Sequence, residues 1–169
     1  LRGCFRSMEK KKKVHIIAPA STANLGPGFD CLGLGLGLYH TLKVSEEDGA
    51  GLEIQASGEG AETVPLDSEN MVYQAMKQVF SSAGYQPGRL LLESHNEIPL
   101  ASGLGSSAAA QVVGLSAGML LSGQSLDRCR LIDMGVEKEG HADNVVPCVL
   151  GGLTVVGTVG AQFDYVRLE

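Results

Sequence analysis

The sequence predicts an α+β domain, with a sheet on one side and helices packed on the other. Three observations carry the prediction. Segments of strand character and segments of helical periodicity mix without the regular strand–helix–strand repeat of a doubly wound sheet. One helical segment is apolar nearly all round, so other elements must enclose it. The 169 residues, 44% hydrophobic and 19% charged, suffice to bury one sizeable core.

Residues 14–18 alternate weakly and read as a short strand, and residues 19–30 as a loop of small and turn-forming residues. Residues 33–38 alternate Gly and Leu, which bends a strand or lets two backbones approach. Residues 39–45 and 51–57 read as strands joined by the acidic turn Glu46-Glu47-Asp48-Gly49. Ser68 is the expected N-cap of a helix whose face is marked by Met71, Val72, Ala75, Met76, Val79 and Phe80, with Gly84 closing it. Residues 89–95 form a further strand. The apolar helix runs from about Ser107 to Leu121, with Gly114 and Gly118 on one side. Ser125 caps a third helix that ends near Gly140, and residues 149–158 form a last strand. By this division residues 1–13 are a disordered or non-native tail, 14–160 the domain, and 161–169 the start of a connection.

The net charge of −6 argues against a nucleic-acid partner. An anionic ligand must then be held by local dipoles, a metal or a few cations. The basic run Lys10–Lys13 falls in the tail and reads as a solubilising stub. The cysteines, at 4, 31, 129 and 148, lack Cys-x-x-Cys spacing, so neither zinc nor a disulfide framework is indicated. Reduced thiols fit a cytoplasmic protein. Gln111, Ser116 and Ser122 interrupt the longest apolar stretch, so no membrane span is read. Residues 1–7 precede Met8 and read as a translated upstream stretch, a cloning remnant or the end of an organelle-targeting peptide.

Chemistry concentrates in three clusters. The first is Ile98-Pro99-Leu100-Ala101-Ser102-Gly103-Leu104-Gly105-Ser106-Ser107-Ala108-Ala109. Its glycines let the backbone approach an anion closely, and a helix N-terminus follows to meet the charge. Ser106 and Ser107 add hydroxyls for phosphate or a divalent metal. A glycine-rich turn capping an ordinary buried helix is the bland alternative. The Walker pattern fails, because the next lysine is Lys138. The dinucleotide pattern is formally met by Gly103, Gly105 and Ala108, but the acidic residue at the required spacing, Asp127, opens a helix. The second cluster, residues 19–30, sets Asn24 and Asp30 among small residues. The third, Glu139-Gly140-His141-Ala142-Asp143-Asn144, puts four polar functional groups just past a helix end, where a metal, an ammonium group or a hydroxyl could bind.

Together these clusters closely resemble the GHMP kinase superfamily over about residues 14–160. Pro-Ala-Ser-Thr-Ala-Asn-Leu-Gly-Pro-Gly-Phe-Asp and Gly-His-Ala-Asp-Asn-Val-Val-Pro resemble the branch that phosphorylates L-homoserine more than the mevalonate or galactose branches. The resemblance implies a ribosomal-protein-S5-domain-2-like N-terminal domain followed by a C-terminal ferredoxin-like domain. That second domain carries a third glycine-rich motif and arginines for the substrate carboxylate. Only Arg167 follows the third cluster before Glu169, so the C-terminal domain is expected to be absent and the chain to be a fragment, or one completed by a second chain.

The resemblance also implies roles. Residues 98–109 hold the ATP phosphates, the amides of Gly103 to Ser107 pointing at them, and Asn70 touches the adenine nucleotide. Ser107 and Glu139 ligate Mg²⁺, with Glu137 the alternative if the helix register is misread. Asn24, Asp30, His141 and Asp143 line the amino-acid pocket, Asp30 facing the ammonium group. Asn144 lies where several sister kinases place a catalytic Asp. An amide cannot take a proton as a carboxylate can, so the implied mechanism is direct in-line attack without a strong side-chain base. The implied product is O-phospho-L-homoserine, on the route to threonine, made in the cytoplasm or in a plastid. The implied assembly is a homodimer or a pairing with a complementing C-terminal half. Another alcohol kinase of the superfamily, and a non-catalytic nucleotide-binding module, stay open as alternatives.

Overall fold

Residues 12–159 and 162–168 are described here from a computed structural model. The expected tail over residues 1–11 lies outside them. Lys12 and Lys13, assigned to that tail, instead begin strand β1 (Lys12–Ala23). Strand β2 (Leu32–Glu47) is the spine of the sheet, and β1 runs antiparallel along it from Lys12↔Glu46 to Ala23↔Gly33. The sequence reading ended the first strand at residue 18, before Pro19. The strand continues because the register shifts between Pro19 and Ala20. That irregularity absorbs a residue without an N–H, and Ala20 to Ala23 then find partners on the Gly-Leu stretch of β2.

Strand β3 (Leu52–Gly58), helix α1 (Met71–Ala83) and strand β4 (Arg89–Asn96) form a crossover unit. β4 pairs parallel to β3 and antiparallel to β2, so it inserts between two strands that the acidic turn connects. Helix α2 (Ser106–Leu121), helix α3 (Arg128–Glu139) and the short helix α4 (Val145–Leu150) follow. Strands β5 (Leu153–Val159) and β6 (Gln162–Leu168) finish the sheet in the order β3-β4-β2-β5-β6. The segment read as a connection is thus over residues 162–168 a paired strand. Residues 149 and 150, expected to open the last strand, instead close α4, and the strand itself starts at Leu153; an unbroken apolar run does not distinguish a buried helix from a strand.

One sheet face is apolar: Leu42, Val44, Ile54, Leu90 and Leu92 are buried there. α2 lies in the same core with Val113, Leu115 and Met119 fully enclosed. α1 packs closely on α2 at its glycines, where a Cβ on Gly114 would stand 2.4 Å from the Val72 carbonyl oxygen. α1 starts at Asn70 and α3 at Asp127, each two residues later than the serines expected as caps. Both Oδ1 atoms accept two backbone N–H groups, which gives them the advantage at the helix start. Gly84 and Gly140 close these helices in the left-handed conformation, as expected. Among the described residues no helix is long and apolar enough to cross a membrane.

His40 is buried beside this core, with Nε2 2.8 Å from Ser94 Oγ. Burial first, and then the charge of His95, lowers its pKa from 6.5 to about 4. The unfolded chain therefore binds a proton at a pH where the folded chain does not. Stability from this group is present above pH 6.5 and is lost as pH falls toward 4, by roughly 3 kcal/mol. In urea unfolding at a series of pH values, His40→Gln should flatten that loss relative to the unaltered protein. Parallel pH profiles for the two proteins would remove His40 as its cause.

Candidate active site

The loop between β4 and α2 leaves a helix N-terminus open. α1 and α3 are capped by side chains, whereas α2 begins at Gly105 with no side-chain cap. Its first N–H groups are free to meet an anion, with the positive end of the helix dipole behind them. Gly105 has φ 65° and serves as the turn into the helix. An added Cβ would stand 2.2 Å from Ser21 Oγ and 3.0 Å from both Ser21 O and Asn144 Oδ1. Ala101 also holds a positive φ, and the other described non-glycine residues that do so are Asn24 and Asp30. All of them lie in the first two sequence clusters.

A cavity of about 230 Å³ opens on this loop, lined by Pro99, by residues 101–108 and by Glu139 and Asn144. Ser107 Oγ donates to Glu139 Oε1, across from the loop. Gln111 Nε2 donates to the same oxygen at 2.6 Å. Glu137 borders a separate groove with Glu69 and Lys77, so Glu139 is the carboxylate brought to Ser107. A serine hydroxyl and a carboxylate are hard oxygen donors and suit Mg²⁺, which keeps waters and phosphate oxygens as its remaining ligands. Among the described residues no group of three or more His, Cys, Asp or Glu could hold a metal by itself. An ion here would need the nucleotide phosphates as partners.

The third cluster joins the first through β1. Ser21 is fully buried, its N–H donates to Leu104 O at 3.1 Å, and its Oγ donates to Asn144 Oδ1 at 3.0 Å. Asn144 starts α4 without capping it, so its side chain is committed to Ser21 and the loop cavity. Sequence reasoning passed over Ser21 and counted Gln111 only as a break in an apolar run. Neither carries a local signal, since their partners lie 123 and 28 residues away.

Asn24 Oδ1 accepts from Asp30 N at 2.8 Å, so Asn24 shapes its own loop. Asp143 is 2% exposed, and its Oδ1 lacks a hydrogen bond among the described residues, with the exposed His141 Nδ1 3.8 Å away. Burial above all raises its pKa, Asp30 adds to the rise, and His141 opposes it. A buried carboxylate with an unused oxygen, near a second carboxylate, suits a ligand that brings an ammonium group.

Asn70, which the resemblance sets against the adenine nucleotide, is tied into its own turn. Its Oδ1 caps α1 and its Nδ2 donates to Pro65 O at 2.7 Å. It borders a second cavity, of about 450 Å³, with Val64, Pro65, Met71 and Val72. That cavity shares Ala101, Ser106 and Ser107 with the loop cavity. The two form one path from a largely apolar chamber to the open helix N-terminus.

The family described as GHMP kinases N terminal domain matches residues 70–152, the span from the α1 cap through the loop to the third cluster. This chain carries a GHMP kinase N-terminal domain. Homoserine kinase of Moorella thermoacetica is 46% identical over 151 residues, covering 89% of this chain and 50% of that protein. The crystal structure of homoserine kinase from Cytophaga hutchinsonii superposes with a TM-score of 0.80 at 31% identity, over 95% of this chain and 53% of that one. Mevalonate kinase of Methanococcus jannaschii shares the fold at a TM-score of 0.67 and 14% identity, over 97% of this chain and 57% of that one. The GHMP domain fold accounts for the mixed sheet and the helices packed on it. The chain spans about half the length of the curated relatives it matches.

Proposed function

We propose that this domain binds Mg-ATP and that the complete protein transfers the γ-phosphoryl group to the side-chain hydroxyl of L-homoserine. The observation that carries the reading is the cavity where the uncapped start of α2 faces the Ser107–Glu139 pair. Residues 98–109 cradle the phosphates through backbone amides, and the chamber beside Asn70 takes the adenosine end. Asn70 acts there by fixing the wall rather than by reading the base. Ser107 and Glu139 are the metal ligands, and Mg²⁺ held there supplies charge neutralisation on the phosphates.

Asp30 and Asp143 receive the substrate ammonium group, with Asn24 and His141 shaping the pocket. The 40–46% identity to homoserine kinases at this length supports the amino-acid substrate over mevalonate or a sugar. Asn144, held by Ser21, offers its amide to the transferring group. Among the described residues that line this cavity the one carboxylate, Glu139, is assigned to the metal, so the reaction rests on in-line positioning and charge stabilisation. Among the described residues the lining of the loop cavity also has no Lys or Arg. The substrate carboxylate then needs a cation from a C-terminal half of the protein or from a partner copy, and the domain alone is expected to bind nucleotide weakly without turning over. The product, O-phospho-L-homoserine, serves threonine biosynthesis. The cytoplasm, with ATP and reducing conditions, suits the free thiols of Cys31, Cys129 and Cys148.

A substrate panel tests this reading. Assayed at equal concentrations, the complete protein should prefer L-homoserine over mevalonate, galactose and shikimate. Preference for a substrate without an amino group would overturn the homoserine assignment and leave the kinase assignment standing.

A further inference from the structure

We infer that Gln111 is a positioning residue for the metal-binding carboxylate: its side-chain amide braces Glu139 from α2. The inference rests on the proposed roles of Ser107 and Glu139. Gln111 lies one helical turn after Ser107, on the same face of α2. It is 5% exposed, in a helix whose neighbouring positions Ala110, Val112 and Val113 are apolar and buried. A buried amide is costly unless bonded, and its Nε2 donates to Glu139 Oε1 at 2.6 Å.

Glu139 needs such a brace. It is the last residue of α3, directly before the left-handed Gly140, where a helix end constrains a long side chain least. Ser107 and Gln111 both address Oε1, and Glu139 lines the loop cavity. An amide also holds a carboxylate without cancelling its charge, as a lysine would. The carboxylate keeps its full attraction for a divalent cation, and its rotamer is fixed before the ion arrives. Outer partners of this kind change metal affinity by about 10- to 100-fold.

The test uses the 169-residue chain with magnesium as the probe. Nucleotide affinity is titrated with excess chelator and across a Mg²⁺ series, for Gln111→Met, Gln111→Asn and Glu139→Gln. Met keeps the length without a donor, and Asn keeps the amide but falls short of Glu139. Both Gln111 variants should bind metal-free nucleotide within about twofold of the unaltered chain. Both should need about tenfold more Mg²⁺ for half of the metal-dependent gain, and high Mg²⁺ should restore that gain. Glu139→Gln should lose most of the gain at any Mg²⁺ concentration. Unchanged Mg²⁺ midpoints in a folded Gln111 variant, with the gain lost in Glu139→Gln, would overturn the brace and leave the metal site standing. Equal weakening with and without Mg²⁺ would overturn it too, as a packing effect. A full gain in Glu139→Gln would overturn both.

Discussion

Glu139→Gln is expected to lower phosphoryl transfer by the complete protein by roughly 10²- to 10³-fold, while its thermal unfolding should move little. The two effects separate because of where Glu139 lies. It is half-buried at the end of α3 and packs no core. Its carboxylate meets Ser107 and Gln111, and the glutamine side chain has the same size. What disappears is a negative charge beside the site where phosphate charge must be neutralised. Glu137→Gln is the matched control, because Glu137 borders the neighbouring groove and should leave turnover nearly unchanged. If Glu137→Gln is the inactive variant and Glu139→Gln the active one, the metal ligand has been assigned to the wrong carboxylate.

Gly105→Val is expected to weaken Mg-ATP binding by at least about 100-fold, which corresponds to about 2.7 kcal/mol. Two costs add at this position. The backbone has φ 65°, a conformation that a β-branched residue avoids. The new Cβ also meets Ser21 Oγ at 2.2 Å and the Ser21 carbonyl oxygen at 3.0 Å, and Ser21 is fully buried in β1. The loop must therefore move away from β1, taking the first amides of α2 with it. Gly103→Ala separates conformational strain from collision, since its φ is 73° but its Cβ would enter open space. Its loss of affinity should be much smaller. A folded Gly105→Val protein with unchanged nucleotide affinity would remove the phosphates from this loop.

What could be read in advance was local. The Gly84 and Gly140 helix ends, the buried α2 and the close approach at Gly114 follow from short-range pattern and from the absence of a side chain. The glycine loop was legible because its composition exceeds what a turn requires. N-caps were misplaced by two residues, since Ser68 and Asn70, or Ser125 and Asp127, compete on geometry that sequence spacing does not resolve. The insertion of β4 between β2 and β3 is a choice among long-range pairings. The strand after Pro19 exists only because a register shift lets it pair with β2. Within the site, Glu139 could be found from its own cluster, but Ser21 and Gln111 could not. Each acquires its role from a partner that tertiary packing brings to it.

The most direct test of the account is a structure of the complete protein with Mg²⁺, a non-hydrolysable ATP analogue and L-homoserine. The account predicts phosphates on the backbone amides at the start of α2 and one metal ion held by Ser107 Oγ and a Glu139 carboxylate oxygen. It also predicts the substrate ammonium group at Asp30 and Asp143, with the side-chain hydroxyl aimed at the γ-phosphate. Phosphates bound away from the start of α2, or a metal ion with no contact to Glu139, would contradict it.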